Sequence, residues 1–191
     1  MKRIPRAAGA LGWALGAAAL HAAVPYQLSR LSGRAGRPGR STPAARHAGL
    51  VTVAAGAALM AWAFAAHSAA APQGWELESG LTPGYLLRAG PYWLSRNPMY
   101  SGEAVAWAGW GLVYASPAVW AGLASLCAAF AVIVRWEERQ LLDRFGEDYR
   151  AYLAEVPRWL PGTPRRRRAR MPPPPLPAVP AEARSAAAGY S

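Results

Sequence analysis

Apolar residues come in long runs along this chain, separated by segments rich in Arg, Gly and Pro. Crossing a bilayer as a helix takes about 20 mostly apolar residues. The first run, Ala7 to Leu28, meets that length and carries Gly12 and Gly16 at a spacing that lets helices approach closely. It follows the basic start Met1-Lys2-Arg3-Ile4-Pro5-Arg6 but outlasts the roughly 7–15 residues of a cleavable signal, so it is read as a retained helix. A second span is predicted over Ala48 to Ala70, after a polar stretch, Ser29 to His47, that holds Arg30, Arg34, Arg37, Arg40 and Arg46. Pro72, Gly74, Gly80, Pro83, Gly84, Gly90 and Pro91 mark the connection from Ala71 to Pro98 as loop and turns. From Tyr100 to Val134 the chain is apolar again and is broken by Ser116-Pro117. That pattern predicts a helical hairpin, Gly102 to Ala115 and Ala118 to Val134, whose first arm is short for a full crossing.

Beyond Arg135 the period changes. Leu141, Leu142, Phe145, Tyr149, Tyr152, Leu153 and Val156 recur at intervals of three and four, with Arg139, Asp143, Arg144, Glu147 and Arg150 on the other face. This predicts an amphipathic helix, closed by Pro157 and Pro161, that packs on the bundle or lies at the interface. The expected architecture is therefore all-α: a multi-spanning membrane helical bundle of about four spans with a C-terminal amphipathic helix. Residues 1–162 form the membrane domain, and 163–191 form a disordered tail with Arg165 to Arg168, Arg170 and the run Pro172 to Pro175.

Composition supports the membrane reading. Of 191 residues, 53% are hydrophobic and only 16% charged, below the roughly 25% of ordinary soluble domains. The net charge of +11 calls for an anionic neighbour. Its Arg residues lie beside apolar runs or in the tail, which favours lipid headgroups, gathered by Arg165 to Arg168, over nucleic acid. Cys127 is the single cysteine, and His21, His47 and His67 show no ligand spacing, so no disulfide framework and no metal site is expected. Four spans put both termini on one face of an inner (cell) membrane. The basic tail with Lys2, Arg3 and Arg6 points to the cytoplasm, against the five Arg of the first loop.

Two segments carry candidate chemistry. In Gly90-Pro91-Tyr92-Trp93-Leu94-Ser95-Arg96-Asn97-Pro98-Met99-Tyr100-Ser101-Gly102-Glu103, Pro98 pushes Asn97 toward an extended conformation and suits a first helical turn. Arg96 and Asn97 then sit at the water–membrane boundary beside a helix N-terminus, a place that suits an anion as well as a snorkelling Arg. In Arg135-Trp136-Glu137-Glu138-Arg139, helical geometry puts Glu138 near the centre of the stripe made by Leu142, Phe145, Tyr149 and Tyr152, and Glu137 at its edge. A carboxylate on a packed face needs a cationic partner: Arg96, Arg158 or a cationic ligand. Glu103, Trp107, Trp110 and Tyr114 share one helix face, either as ordinary packing or as a groove for an acyl or prenyl chain.

Together these segments resemble the isoprenylcysteine carboxyl methyltransferase family in its broad bacterial sense, which is similar in turn to phospholipid N-methyltransferases. The resemblance rests on Gly90-Pro91-Tyr92, Arg96-Asn97-Pro98-Met99-Tyr100-Ser101-Gly102, Glu137-Glu138 with Leu141, Phe145-Gly146, Tyr149, Tyr152 and Val156-Pro157-Arg158-Trp159-Leu160-Pro161, and covers residues 83–161. It implies an S-adenosylmethionine-dependent methyltransferase acting on a lipid-like or prenylated acceptor. Its cytoplasm-facing pocket would be lined by Tyr92, Arg96, Asn97, Pro98, Tyr100, Glu137, Glu138 and Arg158, with Arg96 and Glu138 as the catalytic pair. Glu137 or Glu138 would hold the cofactor's ammonium and Arg96 or Arg158 its carboxylate, while Tyr92 or Tyr100 packs on the adenine. Asn97 stands where the best-known members have His, and it cannot accept a proton near neutral pH. The Arg-x-Pro-x-Tyr-x-Gly-Glu segment with Trp107 is also similar to membrane steroid and lipid reductases that use NADPH. A non-catalytic accessory protein of the same fold is the third reading.

Overall fold

The computed structural model describes residues 21–70 and 85–160. These residues form helices and connecting turns, with no strand among them. Helix α1 covers 21–34, α2 Pro43–Ala70, α3 Pro98–Tyr114 and α4 Pro117–Glu155, with a short 3-10 turn, Gly90–Trp93, before α3. The N-terminal part of the first expected span, with Gly12 and Gly16, lies outside the described residues, as do 71–84 and the Arg-rich tail.

Helix α3 starts at Pro98, four residues before the expected Gly102, because proline fits a first helical turn, and three further boundaries differ from the expectation. Helix α1 runs six residues past Leu28. Its last turns are held by the Ser29 hydroxyl donating to Tyr26 O at 2.7 Å and by Arg30 lying 5.7 Å from the Tyr26 ring centre. It closes where Arg37 N–H bonds Ser32 O and the Ser32 hydroxyl bonds Arg37 O, both at 2.9 Å. Helix α2 starts five residues before Ala48, because Pro43 fits a first turn and the Thr42 hydroxyl accepts the Ala45 N–H at 3.1 Å. The third difference is the boundary expected at Arg135. Helix α4 continues through it without a break and turns instead at Gly146 (φ 52°, ψ −121°).

Lengths decide what lies in the bilayer. Helices α2 and α4 are long and apolar enough to cross. At 1.5 Å per residue the part of α4 before the Gly146 turn, 117–145, extends about 44 Å, well beyond the hydrocarbon thickness of about 30 Å. The apolar stretch 117–134 accounts for about 27 Å, close to the hydrocarbon thickness, and charged residues begin at Arg135. The 17 residues of α3 extend about 25 Å. Apolar side chains face outward, as lipid requires: Val51 is 58% exposed and Val132 68%.

Small residues bring α2 and α3 together as an antiparallel pair. A Cβ on Gly56 would stand 2.5 Å from Ala106 N and Gly102 O, and one on Gly109 2.6 Å from Val53 N. These obstacles are backbone atoms, which cannot rotate away. Gly56→Leu is expected to destabilise the chain by about 1–3 kcal/mol through forced separation of the two helices, read by thermal unfolding in detergent. Helix α1 packs on the other side of α3 and against α4, where Leu28 and Trp107 both meet Gly122.

At Gly146 an L side chain would be strained, yet nothing lies within 4 Å of its would-be Cβ. Gly146→Ala therefore isolates a backbone effect, and a loss of about 1–3 kcal/mol in the same unfolding measurement is expected. The turn redirects the last part of α4 so that Tyr149, Tyr152 and Val156 form a buried cluster with Leu86, Leu141, Leu142, Phe145 and Leu153. The apolar stripe of the expected amphipathic helix is thus a packed face.

Candidate active site

The segment 85–97 crosses the end of the bundle beneath the redirected part of α4. Gly90-Pro91 opens the 3-10 turn, and Pro91 O accepts the N–H of Leu94 (3.0 Å) and of Ser95 (3.2 Å). The chain after α4 is then stitched onto this segment. Arg96 N–H donates to Pro157 O at 2.9 Å, the Ser95 hydroxyl to Arg158 O at 3.0 Å, and the Asn97 amide to Arg158 O at 3.2 Å. The Tyr152 hydroxyl donates to Tyr92 O at 2.6 Å. These bonds satisfy partly buried backbone carbonyls at a junction of irregular chain. Pro98 occupies the first turn of α3, as its fixed φ allows, and Asn97 before it has φ −130° and ψ 57°.

Glu138, only 6% exposed, is the centre of this junction. Arg96 reaches its Oε1 with Nε (3.1 Å) and Nη2 (2.9 Å). Arg158 grips both oxygens, Nε to Oε1 at 3.1 Å and Nη2 to Oε2 at 2.5 Å. Desolvating a carboxylate is costly unless it is paired and hydrogen-bonded, and here two guanidiniums do both. The Nη1 of Arg96 donates to Leu153 O at 3.3 Å and also to Val156 O, so its guanidinium makes four hydrogen bonds. The Arg158 side chain keeps 37% of its surface exposed, against 9% for Arg96. The Glu138 bonds push the Arg158 pKa up, so its charge persists at any working pH.

One residue earlier on α4, Glu137 receives the Tyr100 hydroxyl at 2.7 Å, and Tyr100 packs on Phe130 with ring centres 4.7 Å apart. Glu137 lies beyond the apolar stretch of α4. Burial raises its pKa, the Tyr100 bond opposes that, and the Glu138 charge adds to it. A cation beside it would act in the opposite direction. Burial pushes the Tyr92 hydroxyl up to about 12, with smaller contributions from Tyr85 and Glu137, so it remains a donor.

The second expected group is partly gathered. Glu103 and Trp107 line a groove of about 180 Å³ with His21, Val24 and Leu126. Trp110 and Tyr114 lie further along α3, stacked at 5.6 Å, with Tyr26 of α1 6.4 Å from Tyr114. The structure thus joins Arg96, Glu138 and Arg158 directly and sets Tyr100–Glu137 beside them. It sets Glu103 3.1 Å from His21, and places Trp110 and Tyr114 toward the far end of α3. Sequence reasoning missed His21, because its partner lies on another helix, and Ser95, whose only signal is its place before Arg96.

Helices long and apolar enough to cross a bilayer, with a charged cluster at one end of the bundle, fit a membrane protein with a polar site at that end. The profile of one family, phospholipid methyltransferase, matches residues 45–148, just over half of the chain, and spans Arg96, Glu103, Glu137 and Glu138. The chain belongs to that family. No curated protein and no solved structure matches it.

Proposed function

We propose that the chain transfers a methyl group from S-adenosylmethionine to a lipid-like acceptor at the interface, with the Glu138 junction holding the cofactor. The observation that carries this reading is the buried carboxylate bridged by Arg96 and Arg158 next to Tyr100–Glu137. A zwitterionic nucleoside needs an anion for its ammonium, a guanidinium for its carboxylate and an aromatic surface for its base. This donor set fits. Both oxygens of Glu138 are taken by guanidiniums, so Glu137 is the carboxylate that receives the ammonium. Arg96 is likewise committed to Glu138 and to backbone carbonyls, whereas Arg158 retains exposed surface for the cofactor's carboxylate. Arg96 and Glu138 then act as positioning residues that fix Arg158. Tyr92 and Tyr100 offer rings, and Asn97 and Pro98 set the angle at which the segment enters α3.

When bound, the cofactor supplies an electrophilic methyl on a sulfonium. The protein's task is alignment and exclusion of water, and positioning accounts for most of the acceleration such a displacement needs. The acceptor's place is the groove lined by Glu103 and Trp107, reached from the bilayer between α1 and α3. Tyr100 and Glu103 are three residues apart on α3 and so share a face, which keeps the two sites adjacent. Glu103, 3.1 Å from His21, puts a carboxylate in this groove that would pair with a cationic amine headgroup. A multi-pass arrangement with the Glu138 end in the cytoplasm completes the reading. The test is to incubate purified full-length protein with methyl-labelled S-adenosylmethionine and host lipid extract. Label should appear in a lipid, and a chain that labels nothing while binding the cofactor would leave the accessory-protein reading in its place.

A further inference from the structure

The opposite end of the bundle carries a second concentration of charge, apart from the Glu138 junction. Helix α3 separates the two: Asn97 marks the Glu138 end, and Leu112 O, which accepts the Ser41 hydroxyl at 2.8 Å, marks the other. At this far end α1 closes, the loop 35–42 crosses, and α2 begins. Arg30, Arg34, Arg37, Arg40 and Arg46 all lie here, and all five are exposed. The charge is uncompensated in an unusual way. The first acidic residue of the whole chain is Glu76, and the tips of α3 and α4 that share this end, residues 110–122, contain no charged side chain. Five guanidiniums therefore stand at the rim of membrane-spanning helices, with no carboxylate from a neighbouring element among the described residues.

The surface is also shaped. A recess of about 300 Å³ is lined by Ser41, Pro43, Arg46, His47 and Leu50. Its polar side is formed by Arg46, His47 and Ser41. Leu50 leads out of it onto the exposed apolar face of α2 at Val51, which is the direction of the bilayer interior. A cationic recess that opens onto a lipid-facing apolar stripe matches an amphiphile with an anionic head. We propose that this end binds the phosphate headgroup of an anionic phospholipid, with the guanidiniums of 30–46 around the head and an acyl chain along Leu50 and Val51. Each basic residue near such a headgroup strengthens binding by about fivefold, from about 1 kcal/mol apiece. Headgroup pairing also offsets the charge that the orientation rule would otherwise keep on the same side as the basic tail. The site secures the leaflet opposite the one in which the Glu138 cluster works.

The test uses the full chain in detergent micelles doped with phosphatidylglycerol or phosphatidylcholine, and counts lipids retained per protein by native mass spectrometry. Wild type should retain phosphatidylglycerol over phosphatidylcholine by at least tenfold. Joint substitution of Arg37→Gln, Arg40→Gln and Arg46→Gln should remove that preference. Joint substitution of Arg165→Gln, Arg166→Gln, Arg167→Gln and Arg168→Gln in the tail should leave it in place. Arg37 and Arg40 in the loop and Arg46 in the first turn of α2 are exposed, so this loop variant keeps its fold, checked by unchanged helical circular dichroism. Equal retention of the two lipids by wild type overturns the proposal. So does a preference that survives in the loop variant or disappears only with the tail variant.

Discussion

Replacing Glu138 by alanine is expected to cost the chain about 3–5 kcal/mol, the largest stability loss expected from any single substitution at the junction. The reason is asymmetric. The carboxylate neutralises two guanidiniums, and the Arg96 side chain, 9% exposed, has no route to water once it is gone. Arg96 also holds Leu153 O and Val156 O, so its displacement loosens the chain that closes over the segment 85–97. Glu138→Gln keeps the shape and removes the charge, and it should fall between wild type and alanine in thermal unfolding. A double-mutant cycle with Arg158→Gln adds a sharper reading. If the pair works as one unit, the two single losses will sum to more than the double loss by about 0.5–3 kcal/mol, the usual range for residues in contact.

The second large effect is on ligand affinity. Arg158→Gln should leave the fold nearly intact, since its side chain is more than a third exposed and Arg96 still pairs Glu138. It should weaken the cofactor or its demethylated product by about 10–150-fold, the equivalent of one lost charge-assisted hydrogen bond of about 1.5–3 kcal/mol. Glu137→Gln should act similarly through the ammonium, again with little change in unfolding temperature. Isothermal titration with S-adenosylhomocysteine measures both. The contrast with Glu138→Ala, in which stability and affinity fall together, separates groups that touch the ligand from groups that position them.

Much of this site is legible in the sequence because helical periodicity is local. Counting along α4 puts Glu138 on the same stripe as Phe145, Tyr149 and Tyr152, and a carboxylate so placed has to find a guanidinium. The Gly90-Pro91 turn and Pro98 at the start of α3 are likewise readable from the backbone restrictions of Pro. Four features are not readable. The sharing of Glu138 between Arg96 and Arg158 depends on how 156–158 docks along 95–97, a matter of long-range backbone bonds. The Gly146 turn has the same residue type as many harmless glycines, and only its dihedral angles distinguish it. The seam of Gly49, Gly56, Gly102 and Gly109 needs two helices to be visible as a seam, while the one small-residue pair that the sequence singles out, Gly12 and Gly16, lies outside the described residues. His21 belongs with these, since its meaning comes from Glu103 across α1 and α3.

The most direct measurement is a titration of the full-length protein in lipid nanodiscs with S-adenosylhomocysteine, followed by intrinsic tryptophan fluorescence and repeated with NADP. Saturable binding of the nucleoside thioether, weakened at least tenfold in Arg158→Gln, with no response to NADP, is the predicted result. Saturable binding of NADP alone, or nucleoside binding indifferent to both Arg158→Gln and Glu137→Gln, would contradict the assignment of the Glu138 junction as the cofactor site.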